Sequence, residues 1–388
     1  MSYPYGTPRD HETPVGPVSP PLVRATAHAI DSVEELGELG RGERHGEFYQ
    51  RLRHSNGVQF EEQAAAREGA EGAVAFASGM AAMSAAILAH CQAGDRILVA
   101  NQIYGGTELL CREDLPRFGV TVQRYEALNL ETLVEALSEP AALVVLETPI
   151  NPTLRIVDLA KAVAICKQHR VPLILDGTFA PAPIQRALDF GVDLLVHSAT
   201  KYYGGHSDVL AGFVAGSHEY LGPVAAFRTR TGGVLAPDVA WLLCRSMPTM
   251  DLRLAAQQAS ALRLAEILHA AIPGLESLGA VSHPGLPGHP DHDLAAAQMR
   301  GGPCLVTLTV AGGSENASRV FGRLRRIARA PSLGGVESVA SLASLTTHAG
   351  LSDAERLAAG IPAGILRISV GVEDTEWLAE DLLQALRT

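Results

Sequence analysis

Short runs of apolar residues recur along the middle of this chain, and turn residues close each of them. Four such runs are Arg96–Ala100, Leu143–Glu147, Val171–Asp176 and Asp193–His197. Runs this continuous are typical of strands buried on both faces, and helical patterns lie between several of them. The alternation predicts an α/β fold whose large, mostly parallel sheet is covered by helices on both sides. Ligands of such sheets bind where the strands end.

The remaining sequence predicts an arm and a second, smaller domain. Residues 1–57 are rich in proline and polar side chains, so we expect an arm that packs on a neighbouring subunit. Residues 58–245 carry the strand–helix alternation, and a long helix over Ala236–Ala271 is expected to join them to residues 246–388. The last region predicts a small α+β domain with strands Leu305–Val310, Val336–Ser344 and Ile365–Val370 and helices Glu315–Ala330 and Thr375–Leu386.

Composition narrows the function classes. The net charge of −11 without a basic block argues against nucleic acid or an anionic membrane as a partner. No apolar run is long enough to span a bilayer. The five cysteines are scattered and odd in number, which is typical of reduced thiols and predicts a cytoplasmic protein.

Three histidines lie close together in a stretch that is rich in proline and glycine. They are His283, His289 and His292, and their spacing matches no rigid metal site. We therefore predict a solvated loop there and no metal.

Lys201 follows the apolar run Asp193–His197 directly. At the end of a buried strand the lysine amine is partly desolvated, which lowers its pKa and favours imine formation with an aldehyde. Ser198 and Thr200 alternate on one face and offer their hydroxyls to a single oxyanion. Taken alone, the same local pattern also fits a surface lysine after a strand.

Two further positions suit the binding of a phosphorylated cofactor. Ser78-Gly79-Met80 opens an alanine-rich helix, whose free amides can hold a phosphate. Asp176 closes a strand and can pair with a pyridine nitrogen. Each pattern also fits a plain helix cap.

The order of these motifs resembles the Cys/Met-metabolism family of fold-type I pyridoxal-phosphate enzymes. That family contains cystathionine γ-synthases, cystathionine γ-lyases, methionine γ-lyases and O-acylhomoserine sulfhydrylases. The similarity runs from about Tyr49 to the C-terminus. Its matching stretches are AFASGMAA at Ala75–Ala82, YGGT at Tyr104–Thr107, ETPINP at Glu147–Pro152, HSATKYYGGHSD at His197–Asp208, SLGGVES at Ser332–Ser338, THA at Thr347–Ala349 and LRISVGVED at Leu366–Asp374.

The resemblance implies the cofactor pyridoxal 5'-phosphate and two catalytic residues. Lys201 would carry the cofactor as a Schiff base and move protons, and Tyr104 would stack on the ring and assist proton transfer at the leaving group. Asp176 would pair with the pyridine nitrogen. The other cofactor contacts implied are Gly79, Met80, Asn151, Thr178, Ser198 and Thr200.

Substrate and subunit contacts follow from the same resemblance. Arg367 and Ser332, with Asn151, would bind the substrate carboxylate. Tyr49 and Arg51 of the arm would reach the phosphate in a neighbouring subunit. This implies a homodimer at minimum, with a homotetramer as the expected assembly.

The chain departs from the family at four places. His54-Ser55-Asn56 stands where Asn-Pro-Thr is usual, Gly177 replaces an asparagine, and Pro331 precedes the SLGG motif. Leu109 occupies the place where cystathionine enzymes often carry an arginine. These departures predict an altered substrate.

The implied function is γ-elimination or γ-replacement on a sulfur-containing or O-activated homoserine-type amino acid, as in transsulfuration and methionine metabolism. The alternatives are a β-lyase acting on cysteine or cystathionine, an aminotransferase, and a non-catalytic cofactor-binding protein. The motifs leave lyase and synthase chemistry equally open.

Overall fold

The computed structural model describes residues 19–44, 46–346, 353–358 and 360–387. The start of the arm and the THA motif at Thr347–Ala349 lie outside the described residues. None of the described helices is long and apolar enough to cross a membrane.

The described helices are mostly short and alternate with the strands. The α-helices are α1 Val33–Arg41, α2 Ser55–Glu68, α3 Gly79–Leu88, α4 Gly105–Leu109, α5 Glu131–Ala136, α6 Leu159–His169, α7 His218–Thr231, α8 Pro237–Ser246, α9 Met250–Ala271, α10 His292–Gln298, α11 Gly313–Arg323, α12 Asp353–Ala358 and α13 Thr375–Leu386. A π-helical turn spans Leu110–Asp114, and 3-10 turns span Leu115–Phe118, Ala187–Phe190, Met247–Thr249, Ile272–Gly274 and Ala343–Leu345.

Seven strands form the large sheet, in the order β1-β7-β6-β5-β4-β2-β3. The strands are β1 Gly72–Phe76, β2 Arg96–Ala100, β3 Thr121–Tyr125, β4 Leu143–Glu147, β5 Leu173–Asp176, β6 Leu194–His197 and β7 Gly212–Gly216. Only β7 runs antiparallel to its neighbours, β1 and β6. The predicted, mostly parallel sheet is therefore confirmed.

Both faces of this sheet are buried by helices. On β2, Ile97 and Val99 share a core with α3, whereas Leu98 and Ala100 share a core with α6 on the opposite face. Successive side chains of a strand point to opposite faces, so a strand covered on both sides is apolar at every position.

A second sheet lies in the C-terminal part of the chain, with the order β10-β11-β12-β9-β8. Its strands are β8 Leu278–Ser282, β9 Leu305–Val310, β10 Ala328–Arg329, β11 Val339–Leu342 and β12 Ile365–Ser369. Helix α9 contributes its first half to the core beneath the large sheet, through Met250 and Leu254, and its second half to the core of the small sheet. The division into 1–57, 58–245 and 246–388 stays a prediction.

The single long helix predicted over Ala236–Ala271 is wrong. The structure has α8 and α9 with the 3-10 turn Met247–Thr249 between them. Pro248 lies in that turn, and a proline lacks the amide hydrogen and crowds the carbonyl four residues earlier. The helix ends there for that reason.

The predicted helix Glu315–Ala330 is also too long, since α11 ends at Arg323. The buried carboxylate of Asp381, on α13, accepts hydrogen bonds from the amides of Arg325, Arg326 and Ile327. These amides are therefore not available to continue the helix, and the chain turns into β10.

The loop predicted from His283 to Asp293 ends earlier, because α10 begins at His292, and its remaining part is not solvated as predicted. His283 and His289 are buried. The His283 ring accepts a hydrogen bond from the Gly285 amide and contacts the Pro303 carbonyl through Nε2 at 3.1 Å. Both ring nitrogens of His283 thus contact backbone groups of the same region.

Candidate active site

Three neighbouring strands of the large sheet bring acidic or basic side chains to one edge. Glu147 ends β4 and is the register partner of Asp176, which ends β5, while His197 ends β6 beside it. The carboxyl ends of parallel strands meet at one edge of a sheet. The residues that follow each strand, up to Asn151, Thr178 and Lys201, therefore gather at the same place.

Lys201 lies in the turn that follows β6 and is half-buried. Its Nζ donates a hydrogen bond of 2.8 Å to Ser332 Oγ, which comes from the C-terminal part of the chain. Loss of solvent and, second, the positive charge of Arg367 lower the pKa of Lys201 to about 8. An amine with such a pKa is a competent nucleophile and base near neutral pH.

A chain of hydrogen bonds connects Lys201 with the large sheet by way of Arg367. Arg367 Nη1 donates to Asn151 Oδ1 at 2.8 Å, and Nη2 donates to the Ser332 carbonyl at 2.9 Å. Ser332, with φ of 93°, occupies a backbone conformation that is costly for a residue with a side chain. The Ser332 backbone thus bonds to Arg367 while its hydroxyl bonds to Lys201.

Arg367 itself is 2% exposed, and burial lowers its pKa to about 10. Its Nε has no hydrogen-bond partner among the described residues. A buried guanidinium with an unused donor is suited to an anionic group such as a carboxylate.

Glu147 was not predicted as a site residue, yet it organises two of them. Its carboxylate accepts hydrogen bonds from the amide of Tyr104 at 2.6 Å and from the amide of Asn151 at 3.0 Å. It is the only charged residue of β4, which is otherwise apolar and fully buried. That position was the signal in the sequence that could have revealed it.

Electrostatic effects link the acids and Tyr104. Burial raises the pKa of Asp176, although hydrogen bonds from Thr178 and the charge of nearby His197 oppose the rise. Burial and the charge of Asp176 raise the pKa of Glu147 well above its usual range. Burial, followed by the charges of Asp176 and Glu147, raises the pKa of Tyr104. Tyr104 consequently keeps its hydroxyl proton at neutral pH.

The first turn of α3 lies against the turn after β6. Ser78 caps the helix by accepting a hydrogen bond from the Ala81 amide, as predicted. A Cβ on Gly79 would lie 2.8 Å from Ser198 Cβ, so only glycine permits this approach. The amides of Gly79 and Met80 are thereby placed beside Ser198, where an anion could bind.

The hydroxyl groups of Thr178, Thr200 and Ser198, all predicted to contact the cofactor, differ in their hydrogen bonds. Thr178 Oγ1 accepts a hydrogen bond from the Ser198 amide and so joins the loops after β5 and β6. Thr200 Oγ1 donates to the Ala211 carbonyl and accepts from the Ala211 amide. The Thr200 hydroxyl is therefore already used by the backbone, whereas Ser198 Oγ has no hydrogen bond within the described residues.

Tyr49 and Arg51 are not bonded to the residues around Lys201 in the described chain. Arg51 lies over the Tyr49 ring, 5.5 Å from its centroid, and donates to the Thr229 carbonyl at the end of α7. Both side chains are exposed.

The His54-Ser55-Asn56 departure has a local structural role. His54 Nδ1 accepts a hydrogen bond from the Gly57 amide and caps α2, while Nε2 contacts the Leu235 carbonyl at 3.0 Å. Asn56 accepts from the Val23 amide and donates to the Pro21 carbonyl. These side chains fasten the arm and the helix start, which explains them without reference to the substrate.

Gly177 also has a packing reason. A Cβ there would lie 2.7 Å from Leu195 Cδ1 and 3.1 Å from Cε1 of His197. Leu109, in contrast, is exposed at the end of α4. Pro331 is exposed just before Ser332.

A comparison with protein families matches residues 6–387 to the model described as Cys/Met metabolism PLP-dependent enzyme. The chain is 35% identical over 375 residues to an L-methionine gamma-lyase of Treponema denticola, covering 96% of this chain and 92% of the relative. It is 36% identical over 370 residues to the chloroplastic cystathionine gamma-synthase 1 of Arabidopsis thaliana, covering 95% of this chain and 65% of that longer protein.

Among solved structures, a cystathionine gamma synthase of Xanthomonas oryzae pv. oryzae in complex with cystathionine superposes with a TM-score of 0.89. The sequences are 32% identical, and the match covers 97% of this chain and 95% of the other. Because lyases and synthases match about equally well, these similarities do not choose between the two reactions.

Proposed function

Because the chain belongs to the family of Cys/Met metabolism PLP-dependent enzymes, we propose that the residues around Lys201 form its active site, with the roles implied by the sequence. The enzyme uses pyridoxal 5'-phosphate and performs γ-elimination or γ-replacement on amino acids. The observation that carries the assignment is the hydrogen-bond chain from Lys201 through Ser332 and Arg367 to Asn151.

The residues present fit the cofactor. Lys201 supplies an amine of lowered pKa that would hold the cofactor aldehyde. Asp176 supplies a carboxylate for the ring nitrogen, and Tyr104 an aromatic ring for stacking. The phosphate would be held by the amides of Gly79 and Met80 with Ser198, and by Tyr49 and Arg51 of a neighbouring subunit. Thr200 would join them once its hydroxyl turned from the Ala211 carbonyl to the phosphate. Asn151 and Thr178 would complete the contacts.

When bound, the cofactor stabilises negative charge on the carbon atoms next to the substrate amino group. The protein supplies the rest. Arg367 and Ser332, with Asn151, hold the substrate carboxylate, using the free Nε of Arg367. The Lys201 amine, held beside Ser332, would remove the proton from Cα, give that proton up again, and then remove a second proton from Cβ.

Tyr104 is suited to donate a proton to the leaving group at Cγ. Its raised pKa keeps the hydroxyl protonated, and the Glu147 carboxylate fixes its backbone. Release of the γ-substituent leaves an unsaturated product, to which a thiol adds in replacement or which water converts to a keto acid and ammonia in elimination.

The substrate side chain is proposed to end in an uncharged group, as in methionine or O-acetylhomoserine. Leu109, which is 43% exposed at the end of the helix that begins after Tyr104, is apolar. Its neighbour Glu108 is held by Arg124 at 2.7 Å. Neither offers a positive charge for a second carboxylate.

Leu109→Arg is therefore expected to favour L-cystathionine, whose distal end carries a carboxylate. The expected rise in kcat/KM for cystathionine relative to methionine is about 5-fold, because a half-exposed ion pair contributes up to about 1 kcal/mol. Steady-state kinetics on both substrates measure it. Leu128→Arg is the matched control, because Leu128 is a leucine elsewhere in the chain that is 39% exposed. It should leave the ratio of the two kcat/KM values unchanged.

Cofactor loading is expected to depend on pH through Lys201. With a pKa of about 8, roughly a tenth of the amine is neutral at pH 7, against about 3 in 10,000 for an ordinary lysine. Only the neutral amine attacks the aldehyde, so the rate of cofactor uptake by apoenzyme should rise with pH through a midpoint near 8. Stopped-flow absorbance measures this rate, and the free ε-amine of Nα-acetyl-lysine is the reference for an ordinary lysine. A rate that still climbs above pH 10 contradicts the assignment.

Product analysis tests the reaction itself. The purified enzyme is mixed with L-methionine, L-cystathionine, L-cysteine or an O-acylhomoserine, each with and without a thiol. 2-Oxobutyrate or a new thioether would establish γ-chemistry, and pyruvate would establish the β-lyase alternative. A cofactor band that responds to no amino acid would favour the non-catalytic alternative.

We also propose a homodimer at minimum, with a homotetramer as the expected assembly, in the cytoplasm. The exposed Tyr49 and Arg51 support a role for the arm on a neighbouring subunit. The five free cysteines support a reducing compartment. Light scattering of the holoenzyme measures the assembly, and a monomer with full activity would exclude an active site shared between subunits.

A further inference from the structure

Glu68 is the most deeply buried acidic residue that the proposed mechanism leaves unused. It ends α2 and is 0% exposed. Its Oε1 accepts hydrogen bonds from the Tyr203 hydroxyl and from the Ala182 amide, and lies 3.1 Å from Nε2 of His197, a close contact that lacks the geometry of a hydrogen bond. Its Oε2 has no partner among the described residues. A buried acidic group this costly requires a reason beyond filling space.

The three contacts of Glu68 come from the two loops that carry the proposed cofactor residues. Ala182 belongs to the loop that begins after Asp176, while His197 and Tyr203 flank Lys201 in sequence. Helix α2 thus joins the loop after β5 to the turn after β6 through one carboxylate.

His197 lies close to both Glu68 and Gly177, the residue that follows Asp176. Its ring is 1% exposed and packs against Tyr203 and Phe213, with centroid distances of 5.5 and 5.1 Å. The Cε1 and Nε2 atoms of the ring approach the backbone of Gly177, where a Cβ would lie 3.1 Å from Cε1 and 3.4 Å from Nε2. The missing side chain at Gly177 is what allows the ring to lie directly behind the residue next to Asp176.

His197 also acts on Asp176 electrostatically. Burial raises the pKa of Asp176, whereas hydrogen bonds from Thr178 and the nearby imidazole of His197 oppose the rise. An aspartate that pairs with a ring nitrogen has to remain ionised, so the position of this imidazole matters for the reaction.

We propose that Glu68 and His197 are positioning residues for the reaction: Glu68 holds the His197 ring behind Gly177, and the ring keeps Asp176 placed toward the cofactor nitrogen. The inference rests on the proposed function, because it assigns Asp176 to that nitrogen. It adds to that function two residues that support Asp176 and to which the motifs assign no role. Arg367, Ser332 and Asn151, which hold the substrate carboxylate, are not part of this cluster.

The test compares holoenzyme variants Glu68→Gln, which keeps the size of the side chain, and His197→Phe, which keeps a planar ring but removes its nitrogens. We expect kcat to fall about 10- to 100-fold, as it does when outer partners of a functional group are removed, and KM to stay within about 3-fold. The absorption bands of the bound cofactor at fixed pH should shift in the same direction in both variants. In the double variant the losses should overlap rather than multiply, because both residues act through one contact.

Asp381→Asn is the matched control for loss of stability alone. Asp381 is also a buried carboxylate that accepts backbone amides, but it lies in the small domain. The Asp381→Asn variant should have a lower melting temperature but unchanged cofactor absorption bands and kcat.

Gly177→Ala tests the same contact from the opposite side and serves if Glu68→Gln does not fold. Its new Cβ would press on His197, so the cofactor bands should shift as in His197→Phe. Variants that lose only melting temperature, with wild-type bands and kcat, would overturn the inference and leave the proposed function intact. A wild-type protein that binds no cofactor would instead overturn the proposed function.

Discussion

Replacing Lys201 with alanine is expected to lower kcat by about 10³-fold or more on every substrate that the wild type converts. In the proposed function this one residue supplies the covalent hold on the cofactor and the base at Cα, and each contribution alone accounts for orders of magnitude in rate. No neighbour replaces it, because Tyr104 keeps its proton and Arg367 stays charged at neutral pH. The measurement is single-turnover kinetics, with mass spectrometry after borohydride reduction to locate any cofactor adduct.

The matched control is Lys161→Ala. Lys161 is exposed and paired with Glu131 at 2.8 Å, so its loss should change neither kcat nor the adduct. Circular dichroism would show that both variants are folded. If Lys201→Ala kept a tenth of the wild-type turnover, the amine would have to lie elsewhere and the proposed active site would be wrong.

Replacing Arg367 with glutamine is expected to raise KM by about 30-fold or more. Removing one partner of a buried charged pair typically costs about 2–5 kcal/mol, and the substrate carboxylate would lose its guanidinium. A second effect follows from the site electrostatics. Arg367 lowers the pKa of Lys201, so the variant should shift the midpoint of cofactor loading to higher pH.

Arg263→Gln serves as the control, since Arg263 is exposed and pairs with Glu376 at 3.0 Å. Initial-rate kinetics on methionine and the pH series of cofactor uptake give the two readouts. A variant with unchanged KM but a shifted loading midpoint would show that Arg367 influences Lys201 without binding the carboxylate.

Much of the fold could be predicted from local patterns. Strands β2, β4 and β9 and helix α13 have the predicted bounds, because apolar runs and caps such as Asp374 are local signals. The break at Pro248 was also visible in the sequence and was missed. The end of α11 was not predictable in this way, since it depends on Asp381 more than fifty residues later.

The candidate site likewise has one part that the sequence could predict and another that it could not. Motif order named Lys201, Asp176, Arg367 and their neighbours, and the resemblance to known enzymes supplied their roles. The contacts of Glu147 with Tyr104 and of Glu68 with His197 join residues far apart in the chain, so no local pattern contains them.

The departures from the family show why both levels are needed. From the sequence alone, His54, Asn56 and Gly177 indicated an altered substrate, whereas their contacts show helix capping, attachment of the arm and close packing against His197. Leu109 keeps its interpretation because it is exposed at the end of the helix that begins after Tyr104. The sequence by itself determined the strand–helix alternation and the family, and it predicted the role of Lys201. Only the tertiary structure decided which side chains reach that lysine, because hydrogen bonds across 131 and 216 residues depend on how the two sheets pack together.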